Sequence, residues 1–179
     1  MKNQKYSINL ALTAMFLALA YVMPFLTGQV PQIGSMLCPM HIPIIICGYV
    51  CGAPWGLIVG FAAPLLRSLT LGMPVLFPNA FAMAFELAAY GLLCGILYRA
   101  FPKKKGYIYV TLIISMIIGR LVWGASQFAC IGFDASEFGF AAFWAGAVTN
   151  ALPGIILQII IIPVVVMLLE KTKLINKRL

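Results

Sequence analysis

Charged residues are almost absent from the long apolar stretches of this chain, and this distribution limits what the chain can fold into. Ten of the twelve Lys and Arg residues fall in three clusters outside those stretches. The clusters are Lys2 and Lys5; Arg99 with Lys103, Lys104 and Lys105; and Lys171, Lys173, Lys177 and Arg178. Only 9% of residues are charged and 63% are hydrophobic, whereas about 25% are charged in soluble domains. The sequence therefore predicts an all-α integral membrane protein whose basic clusters meet anionic lipid headgroups rather than nucleic acid.

Six helices account for the apolar stretches. They are predicted at residues 7–26, 41–52, 54–71, 79–101, 107–131 and 138–171. The second and third are separated at Ala53 and Pro54, because together they hold about 30 residues and one perpendicular span needs about 20. Asn79 is predicted to cap the fourth helix. The sixth is about 50 Å long, so we expect it to tilt, to bend at Pro153 or Pro163, or to project into the cytoplasm.

Both termini are predicted to lie in the cytoplasm, in a compact six-helix bundle that forms a single domain over residues 1–179. An even number of spans puts both terminal basic clusters on one side, and the cluster at 103–105 reaches that side after four spans. Loops rich in Lys and Arg stay in the cytoplasm, whereas five or seven spans would put a basic cluster outside. We expect the first helix to be retained rather than cleaved as a signal peptide, because its apolar run continues to Leu26.

Polar residues inside the predicted helices collect in their outer halves, as in a water-accessible cup that opens outward. Arg120, Trp123 and Gln127 share one face of the fifth helix. Asn79, Glu86 and Tyr90 share one face of the fourth. Unpaired polar groups are costly in hydrocarbon. We therefore expect these faces to meet each other and the polar face of the sixth helix. The candidate substrate-binding residues are His41, Arg67, Asn79, Glu86, Arg120, Trp123, Gln127, Trp144 and Asn150.

The charges within the helices do not balance. Arg67 and Arg120 face one acid, Glu86, which can pair with either arginine. On a structural interpretation, one Arg–Glu pair holds two helices together and the other arginine extends to the outer surface. On a functional interpretation, the spare arginine, for which Arg120 is preferred, binds a substrate carboxylate with its planar donor fork. Trp123 and Trp144 are placed either to stack on the ligand or to anchor the chain at the interface.

Small residues recur at a spacing of four, which lets helices approach closely in lipid. They are Ala14 and Ala18; Gly48, Gly52, Gly56 and Gly60; Gly91 and Gly95; and Ala142 and Gly146. The five cysteines are interpreted as packing residues, because their number is odd and most lie in apolar runs. Cys38 and His41 have a possible metal spacing, but two ligands make a poor site, so we predict no metal.

Three motifs, together with the basic rim and the polar cup, carry a resemblance that covers most of the chain. They are Ala14-Met15-Phe16-Leu17-Ala18; His41-Ile-Pro continuing through Gly48, Gly52, Pro54, Gly56 and Gly60; and Asn150-Ala-Leu-Pro-Gly154. In this order and at this length, the chain resembles a substrate-binding S component of an energy-coupling factor (ECF) vitamin transporter.

The resemblance implies a bacterial plasma-membrane protein with several partners. Ala14 and Ala18 would dock on a coupling transmembrane subunit, and the loop from Gly28 to Met40 would help to close the ligand site. Two ATPase subunits would drive inward release. This chain has no GxxxxGK[ST] loop, so any use of ATP would fall to the partners. As a transport subunit, the chain itself is expected to have no cofactor and no enzymatic activity. Among the family's vitamins, the spare arginine favours a carboxylated one, with pantothenate as the first choice.

Three other functions remain open at the level of sequence. A stand-alone facilitator would need a polar path through the inner half, where only Gln158 is found. An enzyme would depend on Glu86 or His41 for general acid–base chemistry, and no further catalytic motif accompanies them. A structural membrane subunit would use its polar faces only to bind neighbouring helices.

Overall fold

The computed structural model describes residues 2–27, 34, 36–102, 104–131 and 143–172, and that part of the chain is helical and without strands. The helices are α1 Lys2–Val22, extended by a 3-10 turn at Met23–Thr27; α2 His41–Cys51; α3 Ala53–Leu71; α4 Phe81–Ala100; α5 Lys105–Ile131; and α6 Leu152–Lys171. Short π-type turns precede two of them, Leu76–Ala80 before α4 and Ala145–Thr149 before α6.

Five segments in the described residues are long and apolar enough to cross a membrane. They are Tyr6–Leu26, Ala53–Leu71, Leu76–Ala100, Lys105–Ile131 and Ala145–Lys171. The all-α membrane class is thus confirmed, but the count of full-length spans is five. The predicted second span, α2, has 11 residues. It measures about 16 Å, about half the hydrocarbon thickness.

The short helix α2 lies in the core of the bundle, where every one of its residues is buried. It ends at Gly52, whose φ of 98° lies in the region that favours glycine. Pro54 then stands in the first turn of α3, where a missing backbone N–H costs nothing. The break between the predicted second and third helices therefore has a local backbone cause. Across the core, the Tyr49 hydroxyl donates to the Ile108 carbonyl at 3.2 Å and tethers α2 to α5.

Helix α4 crosses α2 and α3 through glycines. A Cβ atom on Gly48 would lie 2.5 Å from the carbonyl oxygen of Gly91, and one on Gly56 would lie 2.6 Å from the same atom. Gly60 and Gly95 make equally close contacts, with the backbones of Leu87 and Ala53 respectively. The glycines predicted to allow close approach therefore lie at the helix crossings. At these glycines α2 and α3 contact the backbone of α4 directly.

Two helix starts differ from the sequence-based expectation. Asn79 does not cap α4, because the helix begins two residues later and no side chain caps it. The predicted sixth helix is interrupted at Asn150 and Ala151, and α6 starts just before Pro153, which occupies its first turn. An interruption next to Pro153 agrees with the expected bend. The first residues of that prediction, 138–142, lie outside the described part of the chain.

Candidate functional site

An ion pair between α4 and α5 lies at the centre of the candidate site. Glu86 is only 1% exposed, and its Oε1 lies 2.9 Å from Nη1 of Arg120. Arg120 is thus the arginine that pairs with Glu86, the point that the sequence left open. The arginine left without the acid is Arg67, and not Arg120 as the functional interpretation preferred. Removing two charges from water is costly, and a pair at this depth persists only with good geometry and further hydrogen bonds.

Two aromatic side chains complete the surroundings of the Glu86 carboxylate. The Tyr90 hydroxyl donates to Oε1 at 3.2 Å, and its ring centroid lies 5.5 Å from that of His41. His41 Nε2 is 3.6 Å from the same oxygen, which is beyond hydrogen-bond length. Neither ring nitrogen of this buried histidine has a hydrogen-bond partner among the described residues. The imidazole therefore carries unused hydrogen-bonding capacity next to an ion pair.

Arg120 itself has donors that Glu86 does not use. Its Nη2 points to the Cys38 sulfur at 3.7 Å, a weak acceptor. Its Nε has no partner within the described structure. Burial raises the pKa of the Cys38 thiol, so the sulfur accepts as a neutral thiol and adds no charge. Nε and Nη2 form one edge of the planar guanidinium, and this edge is the part of Arg120 that can bind a further group.

The C-terminal end of the same α5 face carries an amide pair. Gln127 Nε2 donates to Asn79 Oδ1 at 3.1 Å, which links α5 to the turn before α4. The Gln127 carbonyl oxygen, also buried, has no hydrogen-bond partner in the described part of the chain. Arg120 and Gln127 are about 10 Å apart along the helix axis. The α4 and α5 polar faces thus meet, as the sequence predicted.

The structure does not bring Arg67 into this cluster. Arg67 is 4% exposed, and its Nη1 donates to the Tyr21 carbonyl at 2.9 Å. Its guanidinium also lies 5.2 Å from the centre of the Phe25 ring, a cation–π distance. The expected extension to the outer surface is wrong for this residue, because the end of α1 covers it.

The remaining candidates are Trp123 on α5, and Trp144 and Asn150 in the segment before α6. Trp123 packs with Phe143, with ring centroids 6.3 Å apart. Trp144 is 53% exposed, and Asn150 is exposed at the break before α6. Gln158, on α6, is 1% exposed, and its Nε2 has no hydrogen-bond partner among the described residues. The meeting of the α6 polar face with the cluster therefore stays a prediction.

Sequence reasoning missed two members of the cluster as candidates, Tyr90 and Cys38. Tyr90 follows Glu86 by one helical turn, a spacing that predicts contact. Cys38 precedes His41 by three residues, and the sequence indicates a packing residue or a metal ligand at this position, not a partner of Arg120. The described residues contain no group of three or more His, Cys, Asp or Glu side chains placed to hold a metal ion.

A family model described as "ECF transporter, substrate-specific component" matches residues 9–166. The chain belongs to this family. None of the curated proteins or solved structures compared with the chain matches it. As an ECF substrate-specific component, the protein is a membrane-embedded transporter subunit and not an enzyme. The resemblance drawn from the motifs is confirmed.

Proposed function

We propose that this protein is the high-affinity substrate-binding subunit for uptake of a vitamin or related small molecule across the bacterial plasma membrane. It hands its ligand to an ATP-driven coupling module, made of a transmembrane subunit and two ATPase subunits. The observation that carries the proposal is the cluster of ionisable residues His41, Glu86 and Arg120 inside a predominantly apolar bundle, in a chain of this family. Ionisable groups at membrane depth are costly and are usually kept for function.

The Nε–Nη2 edge of Arg120 supports a carboxylate as the group recognised. Glu86 holds the guanidinium through Nη1, so the arginine is oriented before a ligand arrives. A ligand carboxylate can accept both N–H groups of the remaining edge in a bidentate pair, replacing the weak contact with Cys38. Pantothenate, which carries one carboxylate, is our first choice.

Four other residues complete the proposed contact group. His41 offers a ring nitrogen and Gln127 offers its carbonyl oxygen, each buried and without a hydrogen-bond partner among the described residues. Asn79 positions Gln127, and Glu86 positions Arg120. Trp123, Trp144 and Asn150 border the site on the α6 side in this proposal, and Arg67 secures the end of α1 instead of binding ligand.

Release and identification of the bound molecule test this function. The full chain is purified in mild detergent and its small molecules are measured by mass spectrometry. We expect a carboxylated, vitamin-sized compound that Arg120→Lys depletes. Lysine keeps the charge beside Glu86 but lacks the planar edge, and losing a charge-assisted hydrogen bond costs about 1.5–3 kcal/mol, about 10-fold to 150-fold in affinity.

Two matched variants are needed to interpret the loss of compound from Arg120→Lys. Arg99→Lys changes an exposed arginine of α4 and controls for handling of the protein. Arg67→Lys makes the same substitution at the other buried arginine. A compound retained by Arg120→Lys but lost from Arg67→Lys would move the site to the α1–α3 contact. It would refute carboxylate binding by the Nε–Nη2 edge of Arg120. A protein that carries no compound and binds no member of a vitamin panel would favour a structural subunit.

A further inference from the structure

A groove lies between the start of α5 and the end of α6, far from the candidate substrate site. Its volume is about 360 Å³, and its lining residues are Lys105, Val164, Met167, Leu168, Glu170 and Lys171. Tyr98, at this end of α4, contacts Glu170 through its hydroxyl. Tyr98 is twelve residues beyond Glu86, which is about 18 Å along the helix. The groove is therefore at the basic end of the bundle and is separate from the ion pair.

The groove residues of α6 form a single stripe. Val164, Met167, Leu168 and Lys171 follow one another at spacings of three, one and three residues, so they lie on one face. The stripe is apolar for about one and a half turns and ends in an exposed cation. This arrangement matches a lipid molecule, because the cation can bind a headgroup and the apolar residues can contact an acyl chain.

The charges at this end favour an anion. Lys105 and Lys171 are both exposed and come from the two helices that form the walls. The first turn of α5, which begins at Lys105, contains no acidic residue, so the positive end of the helix dipole is not neutralised there. Glu170 is the acid of the groove, and its carboxylate accepts the hydrogen bond from Tyr98.

We propose that this groove binds an anionic phospholipid, with the phosphate between Lys105 and Lys171 and one acyl chain along Val164 and Leu168. Both lysines line the same groove and come from different helices, so a headgroup bound by both joins the start of α5 to the end of α6. The lipid is a structural ligand and takes no part in recognition of the transported substrate.

Native mass spectrometry of the full chain tests the proposal. The protein is exchanged into detergent with phosphatidylglycerol or with phosphatidylcholine of the same acyl chains, and the retained lipid is measured over a titration. Each surface lysine contributes about fivefold to attraction of an anionic headgroup. We therefore expect Lys105→Gln/Lys171→Gln to weaken phosphatidylglycerol binding by about 25-fold, with phosphatidylcholine bound weakly by both proteins.

The matched control is Arg99→Gln/Lys104→Gln, which removes two exposed charges from the same end but outside the groove. We expect it to weaken binding by less than about threefold, from general attraction alone. Lys105→Arg/Lys171→Arg keeps both charges and should keep the lipid, which separates loss of binding from loss of fold.

Four outcomes would overturn the proposal. Equal loss of phosphatidylglycerol binding in the two double glutamine variants would show attraction by the whole basic surface. Equal retention of phosphatidylglycerol and phosphatidylcholine would show an apolar surface without headgroup recognition. Displacement of the lipid by inorganic phosphate at similar concentration would show an anion site without a chain site. A change in the monomer-to-dimer ratio with no change in retained lipid would assign the groove to a second copy of the chain.

Discussion

At the scale of the residue, the Glu86 carboxylate organises the candidate site. Its Oε1 atom pairs with the Arg120 guanidinium and accepts a hydrogen bond from the Tyr90 hydroxyl. The same oxygen lies next to the His41 ring. Such a pair is worth little compared with an apolar replacement of both partners, yet removing one partner alone leaves an uncompensated charge. The two kinds of substitution should therefore behave differently.

Glu86→Gln is expected to destabilise the protein by about 3 kcal/mol, because Arg120 then stays charged without its carboxylate. Glu86→Gln combined with Arg120→Met should be markedly more stable than the single variant, since the charge is removed as well. Reversible unfolding in mixed micelles with increasing SDS measures the free energy of unfolding of the single and the double variant. Equal stability of the single and double variants would contradict a buried, strongly coupled pair.

At the scale of the element, contacts between glycine backbones fix how α4 lies against α2 and α3. A Cβ atom on Gly91 would overlap the carbonyl oxygen of Gly56, and backbone cannot move aside as a side chain can. The helices therefore meet at a distance set by the absence of side chains, not by their interdigitation.

Gly91→Ala is expected to lower the free energy of unfolding by about 1–3 kcal/mol through overpacking. Gly106→Ala, in the first turn of α5, is the matched control, because a Cβ atom there meets no atom within 4 Å. It should be neutral or stabilising by up to about 1 kcal/mol. The same SDS titration compares them, and similar destabilisation by both would rule out the close crossing as the cause.

Helix α1 offers the most open surface among the five candidate spans. Only 17% of the residues in its most apolar window are buried, against 28–56% in the other four. Ala14 and Ala18 are both exposed on it. An exposed face of small residues suits close docking of a partner helix, which supports the proposed contact with the coupling subunit.

Ala14→Trp and Ala18→Trp are expected to abolish uptake and to leave ligand binding unchanged, because the bulky ring separates the docking surfaces on a helix that contributes no residue to the ion pair. Ile117→Trp, at an exposed position of α5, is the control and should support normal uptake. Uptake in cells that contain the coupling module and ligand binding by the purified chain give the two readouts. Lost binding in the alanine variants would argue that this face supports the fold instead.

At the scale of the whole molecule, we propose that the short helix α2 acts as the sixth crossing, so that both termini face the cytoplasm. All of α2 is buried, so its 11 residues have protein instead of lipid around them, and a short helix can pass through the bundle without matching the bilayer. The basic residues at the two termini and between α4 and α5 then lie on one side, in accord with the positive-inside rule.

Reporter fusions test this topology. A fluorescent protein fused after Leu179 is expected to fluoresce, and alkaline phosphatase fused there is expected to be inactive, because the terminus is cytoplasmic. Phosphatase fused after residue 133, past five crossings, should be active. With the basic N-terminus in the cytoplasm, the opposite pattern at Leu179 would require an odd number of crossings and would remove α2 from the count.

Much of the architecture could be predicted because hydropathy and backbone preference are local properties. Apolar runs between basic clusters identified the helices. The break after α2 was predicted at Ala53 and Pro54, one residue beyond Gly52, where the structure has it. The glycine faces also followed from spacing alone. The number of full-length spans did not, because burial of the eleven residues of α2 depends on the helices around it and not on its own composition.

The sequence by itself determined an all-helical membrane protein of the ECF substrate-specific family, with a polar face on α4 and another on α5. Only the tertiary structure decided that Arg120, and not Arg67, pairs with Glu86, and that the end of α1 covers Arg67. It also decided that Cys38 and Tyr90 join the cluster. Spacing fixes which residues share a face of one helix, whereas the rotation and neighbours of each helix arise from packing between segments far apart in the chain.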